Sequence, residues 1–277
     1  MRRLSYISGT GAAEVCLDCR SALAGTAEGV RGREWGYSIG YRSIAAATRA
    51  ARECSLSVTF LDLAVADELR RLADRDVFMA TPGTLAIDGW TQRAYITAAD
   101  PSSISRAHMA VKLTVVLLDG VWRKGHTVSF EPLTATQGDG DSLDLPYDLP
   151  HDLAAPPSPR THFDAGEWGE TPLRLVFYGP CIDPSVRIDG NLYRVEAVVP
   201  EGGHLVVDPL ASPRSVTLVN ADGSAVDVFA KARRGDGLGG GEYIFQPVSP
   251  GGHEVEWDRS FGFDLTWYEE EGEPPWS

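Results

Sequence analysis

Apolar and polar residues alternate along most of this chain, and the alternation stops repeatedly at Asp-Gly or Gly-Gly pairs. Successive side chains of a strand point to opposite faces, so a period of two marks strands with one buried face. Asp-Gly supplies the left-handed backbone that tight hairpin turns require. A chain punctuated in this way folds as antiparallel β-structure. TLAIDGWTQRAYIT reads as a hairpin about Asp88-Gly89, and SVRIDGNLYRVEAVV as a second about Asp189-Gly190. ECSLSVTF puts Cys54, Leu56, Val58 and Phe60 on one face, and VKLTVVLL does the same with Val111, Leu113, Val115 and Leu117. PLRLVFYG, HLVVDP, VTLVNADGSAVDVF, EYIFQPV, HEVEWD and FGFDLTW continue the series, a spacing that predicts a β-sandwich in the second half.

One segment changes period. In DLAVADELRRLADRD, Val65, Leu69, Leu72 and Ala73 recur at helical spacing. Asp62 is a suitable N-cap. Asp67 and Glu68 precede Arg70, Arg71 and Arg75, the order that the helix dipole favours.

Charge and composition divide the 277 residues further. Through Phe130, 16 basic residues face 13 acidic ones, a balance of +3; the remaining 9 and 26 give −17. Residues 131–171 are rich in Pro, Asp and Gly, which predicts an extended connector. Leu143, Leu145, Tyr147 and Leu149 recur there at every second position, so part of the connector is expected to dock. The expected organisation is an N-terminal domain over 1–130, the connector over 131–171 and a C-terminal β-sandwich over 172–277. The acidic total of −14 argues against a nucleic-acid-binding surface, which needs clustered Lys and Arg. The N-terminus lacks the apolar segment of a secretory signal, and no run approaches the length of a membrane span.

Candidate chemistry is sparse. Cys16 and Cys19 form a CxxC, but no second pair of cysteines or histidines follows at zinc spacing, so structural thiols are expected. Gly235, Gly237 and Gly240 fit G-x-G-x-x-G without the strand-to-helix setting that cradles a pyrophosphate. His253-Glu254 lacks the second histidine of HExxH, and no G-x-S-x-G occurs. Arg233-Arg234 reads as solvated surface. Trp257 and Trp267 fall within strand alternation and are expected in the core, while Trp168 and Tyr268 remain candidates for an aromatic sugar platform. No catalytic residue, cofactor site or metal site is expected, and the chain reads as a non-enzyme. A polysaccharide hydrolase using paired carboxylates, or a glycan-binding adhesin built on the second-half sandwich, are the readings from other classes.

The order of these pieces resembles the distal tail protein (Dit) family of long-tailed bacteriophages. The resemblance rests on LSVTFLDLAVADELRRLADRDVFMATPGTLAIDGWTQRAYI, VKLTVVLLDGVWRKG, LDLPYDLPHDL, and the stretch from VRIDGNLYRVE to the closing EPPW. It implies a mainly β protein: an N-terminal tail-tube-like β-barrel or sandwich with one α-helix, then a galectin-like β-sandwich. It also implies a virion structural protein at the distal end of the tail, assembled in the host cytoplasm. Six copies would form a hub ring joining the tail tube protein to tail-tip and other baseplate proteins. DNA would pass through the ring without specific binding, and no membrane would be involved. No extra segment of about 100 residues leaves room for an inserted carbohydrate-binding module.

The hairpin of residues 84–97 is the expected subunit contact. Trp90 and Tyr95 would supply apolar area beside polar Gln92 and Arg93, and an isolated hairpin needs something to pack against. Packing on the core of its own domain is the alternative.

Overall fold

The computed structural model describes residues 4–25, 28–132, 160–166, 169–233 and 241–275. The described chain divides into two compact units, residues 1–124 with 270–277, and residues 125–269. It leaves unit 1 within one strand and returns within its last one. The docking segment of Leu143, Leu145, Tyr147 and Leu149 lies outside the described residues, as do Gly235, Gly237, Gly240, Arg234 and Trp168.

Unit 1 is formed by β1 (Leu4–Ile7), β2 (Glu14–Cys16), β3 (Ala22–Ala24), α1 (Glu28–Arg31), β4 (Gly36–Ile39), β5 (Ile44–Thr48), β6 (Arg52–Phe60), α2 (Leu63–Phe78), β7 (Gly83–Ile87), β8 (Trp90–Ile104), β9 (Met109–Leu117) and the start of β10 (Trp122–Phe130). Its antiparallel sheet runs β2-β1-β7-β8-β9-β6-β3, while β4 and β5 pair only with each other. The expected alternation in β6 and β9 is present: Cys54, Leu56, Val58 and Phe60 are buried with Val111, Leu113, Val115 and Leu117. Each large side chain withdrawn from water in this way contributes about 1.5–3 kcal/mol.

α2 packs on that sheet. Its N-cap is Asp62, whose Oδ1 accepts from the Ala64 N–H at 2.9 Å. The buried stripe is Ala66, Leu69, Ala73 and Asp76, with Val65 and Leu72 at its margin. The small Ala66, not the larger Val65, sits closest to the sheet. Asp76 is fully buried and accepts from the Tyr6 hydroxyl at 3.0 Å and the Gly9 N–H at 2.9 Å. Arg31 is buried too, and donates from Nη1 to the carbonyls of Pro274 (3.2 Å) and Pro275 (2.9 Å).

Unit 2 contains β11 (Arg160–Ala165), β12 (Arg174–Tyr178), β13 (Cys181–Ile182), β14 (Ser185–Ile188), β15 (Asn191–Arg194), β16 (Val198–Val199), β17 (His204–Asp208), β18 (Ser215–Val219), β19 (Ala225–Asp227), β20 (Gly251–Glu256) and most of β21 (Phe263–Glu271). One sheet runs β19-β18-β17-β12-β21, and the other β11-β20-β14-β15. Their inner faces meet in one core. Leu175, Phe177, Leu205, Val207, Phe263 and Leu265 come from the first sheet, and Phe163, Val186, Ile188, Tyr193 and Val255 from the second. This is the antiparallel sandwich that the spacing predicts.

Two details depart from the sequence reading. Residues 160–165, assigned there to the connector, form a full strand paired with β20 from Arg160↔Glu256 to Ala165↔Gly251. EYIFQPV forms no strand: Ile244 and Phe245 are both buried, and only Val248 makes a bridge, to Thr171.

Candidate functional site

The Asp88-Gly89 turn forms as its residue types require, with positive φ at both positions (50° and 86°). The hairpin it closes is integral to the sheet. β7 pairs with β1 on its far side, Leu4↔Ile87 through Ile7↔Thr84, and β8 pairs with β9 from Ala94 onward. A period of two then separates the four residues expected at the subunit contact. Trp90 and Gln92 share the inner face with Ala94 and Ile96, and all four are buried. Arg93 and Tyr95 lie on the other face and are half-buried. Trp90 thus belongs to the core of its own unit, at 5% exposure, which is the alternative weighed from the sequence.

Arg93 is occupied within its unit. Its Nη2 lies 2.5 Å from Asp119 Oδ1, and its backbone N–H donates to Oδ2 at 3.2 Å. Asp119 also faces Arg123 at 3.4 Å, and Arg123 Nε donates to Glu270 at 2.7 Å. The hydrogen bond to Asp119 raises the pKa of Arg93 further, against the opposing effect of its partial burial. This network fixes the turn after β9 and leaves Arg93 little freedom for another partner.

Exposed apolar side chains of unit 1 lie elsewhere: at the end of α2 (Val77, Phe78 and Met79), and as a larger group on the β4–β5 hairpin. Its register runs from Gly36↔Thr48 to Ile39↔Ile44, and the tip closes with the Gly40 N–H donating to the Ser43 carbonyl at 2.7 Å. Every strand residue is exposed. Tyr37, Ile39 and Ile44 are 64%, 81% and 63% exposed, and Tyr41 at the tip is 94% exposed. Cations cover two of the rings: the Arg49 guanidinium lies 4.3 Å from the centre of Trp35, and that of Arg42 lies 5.3 Å from Tyr41. A second projecting element is the distal end of β8 and β9. Residues 97–107 are exposed there, and the turn is closed by Ser105 Oγ accepting from the N–H groups of Ala107 and His108. The sequence reading passed over the β4–β5 hairpin, although the alternation of Tyr37, Ile39 and Tyr41 is visible in it.

The remaining candidates have structural settings. His253 is buried, with Nδ1 against the Asp189 carboxylate and Nε2 2.8 Å from the Ser249 carbonyl, so it braces the turn at Asp189-Gly190. Arg233 pairs with Glu196 at 2.6 Å. Trp257 is buried and donates from Nε1 to the Phe261 carbonyl at 3.2 Å. Trp267 packs beside the core, with the His126 ring stacked on it at 4.3 Å. Tyr268 receives the Thr171 hydroxyl on its carbonyl at 2.8 Å. No disulfide joins Cys16, Cys19, Cys54 and Cys181, and Cys19 Sγ lies 3.7 Å from Ser21 Oγ. Among the described residues, no three His, Cys, Asp or Glu side chains gather at metal-binding distance. No helix among them is long and apolar enough to cross a membrane.

The fold, over its whole length, is one found in solved phage baseplates. The chain is similar to a protein in the phage P2 baseplate in its activated conformation with Ca, at 8% identity and a TM-score of 0.64 over 99% of this chain and 100% of that one. The same baseplate with Sr gives 8% identity and a TM-score of 0.62 over 99% and 100%. SPP1 Dit (gp 19.1), a hub adsorption protein of phages infecting Gram-positive bacteria, matches at 13% identity over 98% of this chain and 99% of that one, with a TM-score of 0.48. No family model and no curated protein matches the sequence. At these identities the likeness is one of fold.

Proposed function

We propose that this protein is a structural subunit of a phage tail, a hub at the distal end of the tail. Six copies close into a ring that joins the tail tube protein to baseplate and tail-tip proteins, with DNA passing through the centre unbound. The observation that carries the reading is the β4–β5 hairpin, a two-stranded sheet exposed along both strands and rich in apolar side chains. A two-stranded hairpin is marginal in water, and exposed apolar area of this kind marks a surface built for a partner. Fold likeness to phage baseplate proteins supports the tail as the setting. The acidic balance suits a ring that lets DNA slide through.

Native mass spectrometry of the purified protein tests this. A 29.9 kDa chain should give a species of about 180 kDa in the micromolar range. A monomer persisting at hundred-micromolar concentration refutes the ring.

A further inference from the structure

We propose that the tip of the β4–β5 hairpin docks into an apolar groove on the next copy of this chain. The groove lies between α2 and the distal half of β8 and β9. This deepens the ring reading and rests on it.

The groove has a volume of about 220 Å³ and is walled by Leu69, Ala73, Ile96, Pro101, Met109 and Val111. Asp67, Arg70 and Asp74 stand along its helical side. A cavity of roughly 150 Å³ accepts one benzene-sized ring, so this groove takes one aromatic side chain and part of a branched one. The hairpin offers that pair at its tip, Tyr41 with Ile39 or Ile44.

Charge agrees with shape. Between residues 33 and 49 the hairpin carries Arg33, Arg42 and Arg49 against Glu34 alone, and Arg42 adjoins Tyr41. On the groove, Arg70 faces Asp67 at 3.5 Å, and Asp74 stands a turn further along the helix. An apolar tip flanked by a guanidinium therefore meets an apolar groove flanked by carboxylates. The excess of acid on the rim favours the locally basic hairpin over an acidic segment.

The occupant is a second copy. Tyr41 is almost fully exposed within its own chain, so the tip does not fill its own groove. Tip and groove are different surfaces of one molecule, and a contact between different surfaces can repeat head to tail, closing into a ring where the rotation per copy allows it. A reciprocal two-fold dimer, each tip in the other's groove, would show as a species of about 60 kDa, twice the chain mass, and would refute only the ring. The hairpin also loses its marginal character, because its exposed face gains a wall to pack on.

The test uses the full-length protein and follows assembly by native mass spectrometry, with circular dichroism and thermal melting as controls for folding. Tyr41→Ala and Ala99→Trp, both at exposed positions, should leave the melting temperature unchanged. Burying an aromatic side chain is worth enough that losing it should raise the assembly midpoint tenfold or more. Arg42→Glu and Asp74→Arg should each weaken assembly, and the two together should restore it. A wild type that assembles while Tyr41→Ala and Ala99→Trp assemble equally well overturns the docking and leaves the ring reading standing. A wild-type monomer overturns both. Open filaments that are sensitive to these substitutions support the docking and refute only the closed ring.

Discussion

Replacing Asp76 with alanine should destabilise unit 1 more than any surface substitution, because the carboxylate satisfies two donors from a different part of the chain. The Tyr6 hydroxyl reaches it at 3.0 Å and the Gly9 N–H at 2.9 Å, and Tyr6 is completely buried. Arg75, half-exposed and 3.4 Å away, adds little. A buried donor left without an acceptor costs about 1–3 kcal/mol. Tyr6 falls at the upper end of that range, and the partly exposed Gly9 at the lower. Asp76→Ala should therefore cost about 3–4 kcal/mol. Tyr6→Phe leaves the carboxylate its other donors and should cost about 1.5 kcal/mol. With the hydroxyl already gone, Asp76→Ala has only Gly9 to strand, so the double variant should fall short of additivity by about 2 kcal/mol. Differential scanning calorimetry reads this as a drop of roughly 10 °C for Asp76→Ala. The same pair sets a pH dependence. Burial, then the Asp76 charge, raises the Tyr6 pKa above its ordinary value. A hydroxyl that ionises later in the folded than in the unfolded state gives stability that is fully present below about pH 10 and is lost as pH climbs further. Tyr6→Phe should shrink that alkaline loss. A cost below 1 kcal/mol for Asp76→Ala, or strict additivity with Tyr6→Phe, would refute the reasoning.

Trp90→Ala should cost about 3–5 kcal/mol in stability, as expected for a large buried aromatic, whereas Tyr95→Ala on the half-buried face should cost under half as much; urea unfolding that shows equal costs would return Trp90 to the surface. Alkylation with iodoacetamide near pH 8 should modify Cys19 before Cys54 and Cys181. Burial acts to raise the Cys19 pKa, but hydrogen bonds from the Cys16 side chain, Ser21 and Ala22 outweigh it and bring the thiolate to lower pH, while burial raises Cys54 and pushes Cys181 up to about 11. Peptide mapping that finds Cys54 labelled first would contradict this order.

The strands and turns that the sequence reveals are those whose own residues settle their environment. β6 and β9 alternate over nine residues each, and the Asp-Gly turns adopt the left-handed backbone that their side chains tolerate. β2 and β3 are three residues long, too short to establish a period; β2 forms on the neighbouring β1 and β3 on β6, more than 30 residues further along the chain. EYIFQPV has strand composition, but only Val248 pairs, with Thr171, and Ile244 and Phe245 pack in the core without a ladder. The four residues expected at the subunit contact divide between two faces for a parity reason. Trp90 and Tyr95 are five residues apart, and an odd separation in a strand puts them on opposite faces. The exposed hairpin could be read as a strand pair, but which apolar face goes uncovered depends on the other strands, and only the assembled sheet shows it.

The return of residues 270–275 to unit 1 imposes an order on biosynthesis. Arg31 is made 243 residues before Pro274, whose carbonyl, with that of Pro275, holds its guanidinium. The unit carrying the hairpin and the groove therefore stays incomplete until translation has passed through the whole sandwich between its two pieces. A nascent or prematurely terminated chain lacks that latch. A chain stopped before residue 274 would therefore carry a first unit with the buried Arg31 guanidinium stripped of two acceptors.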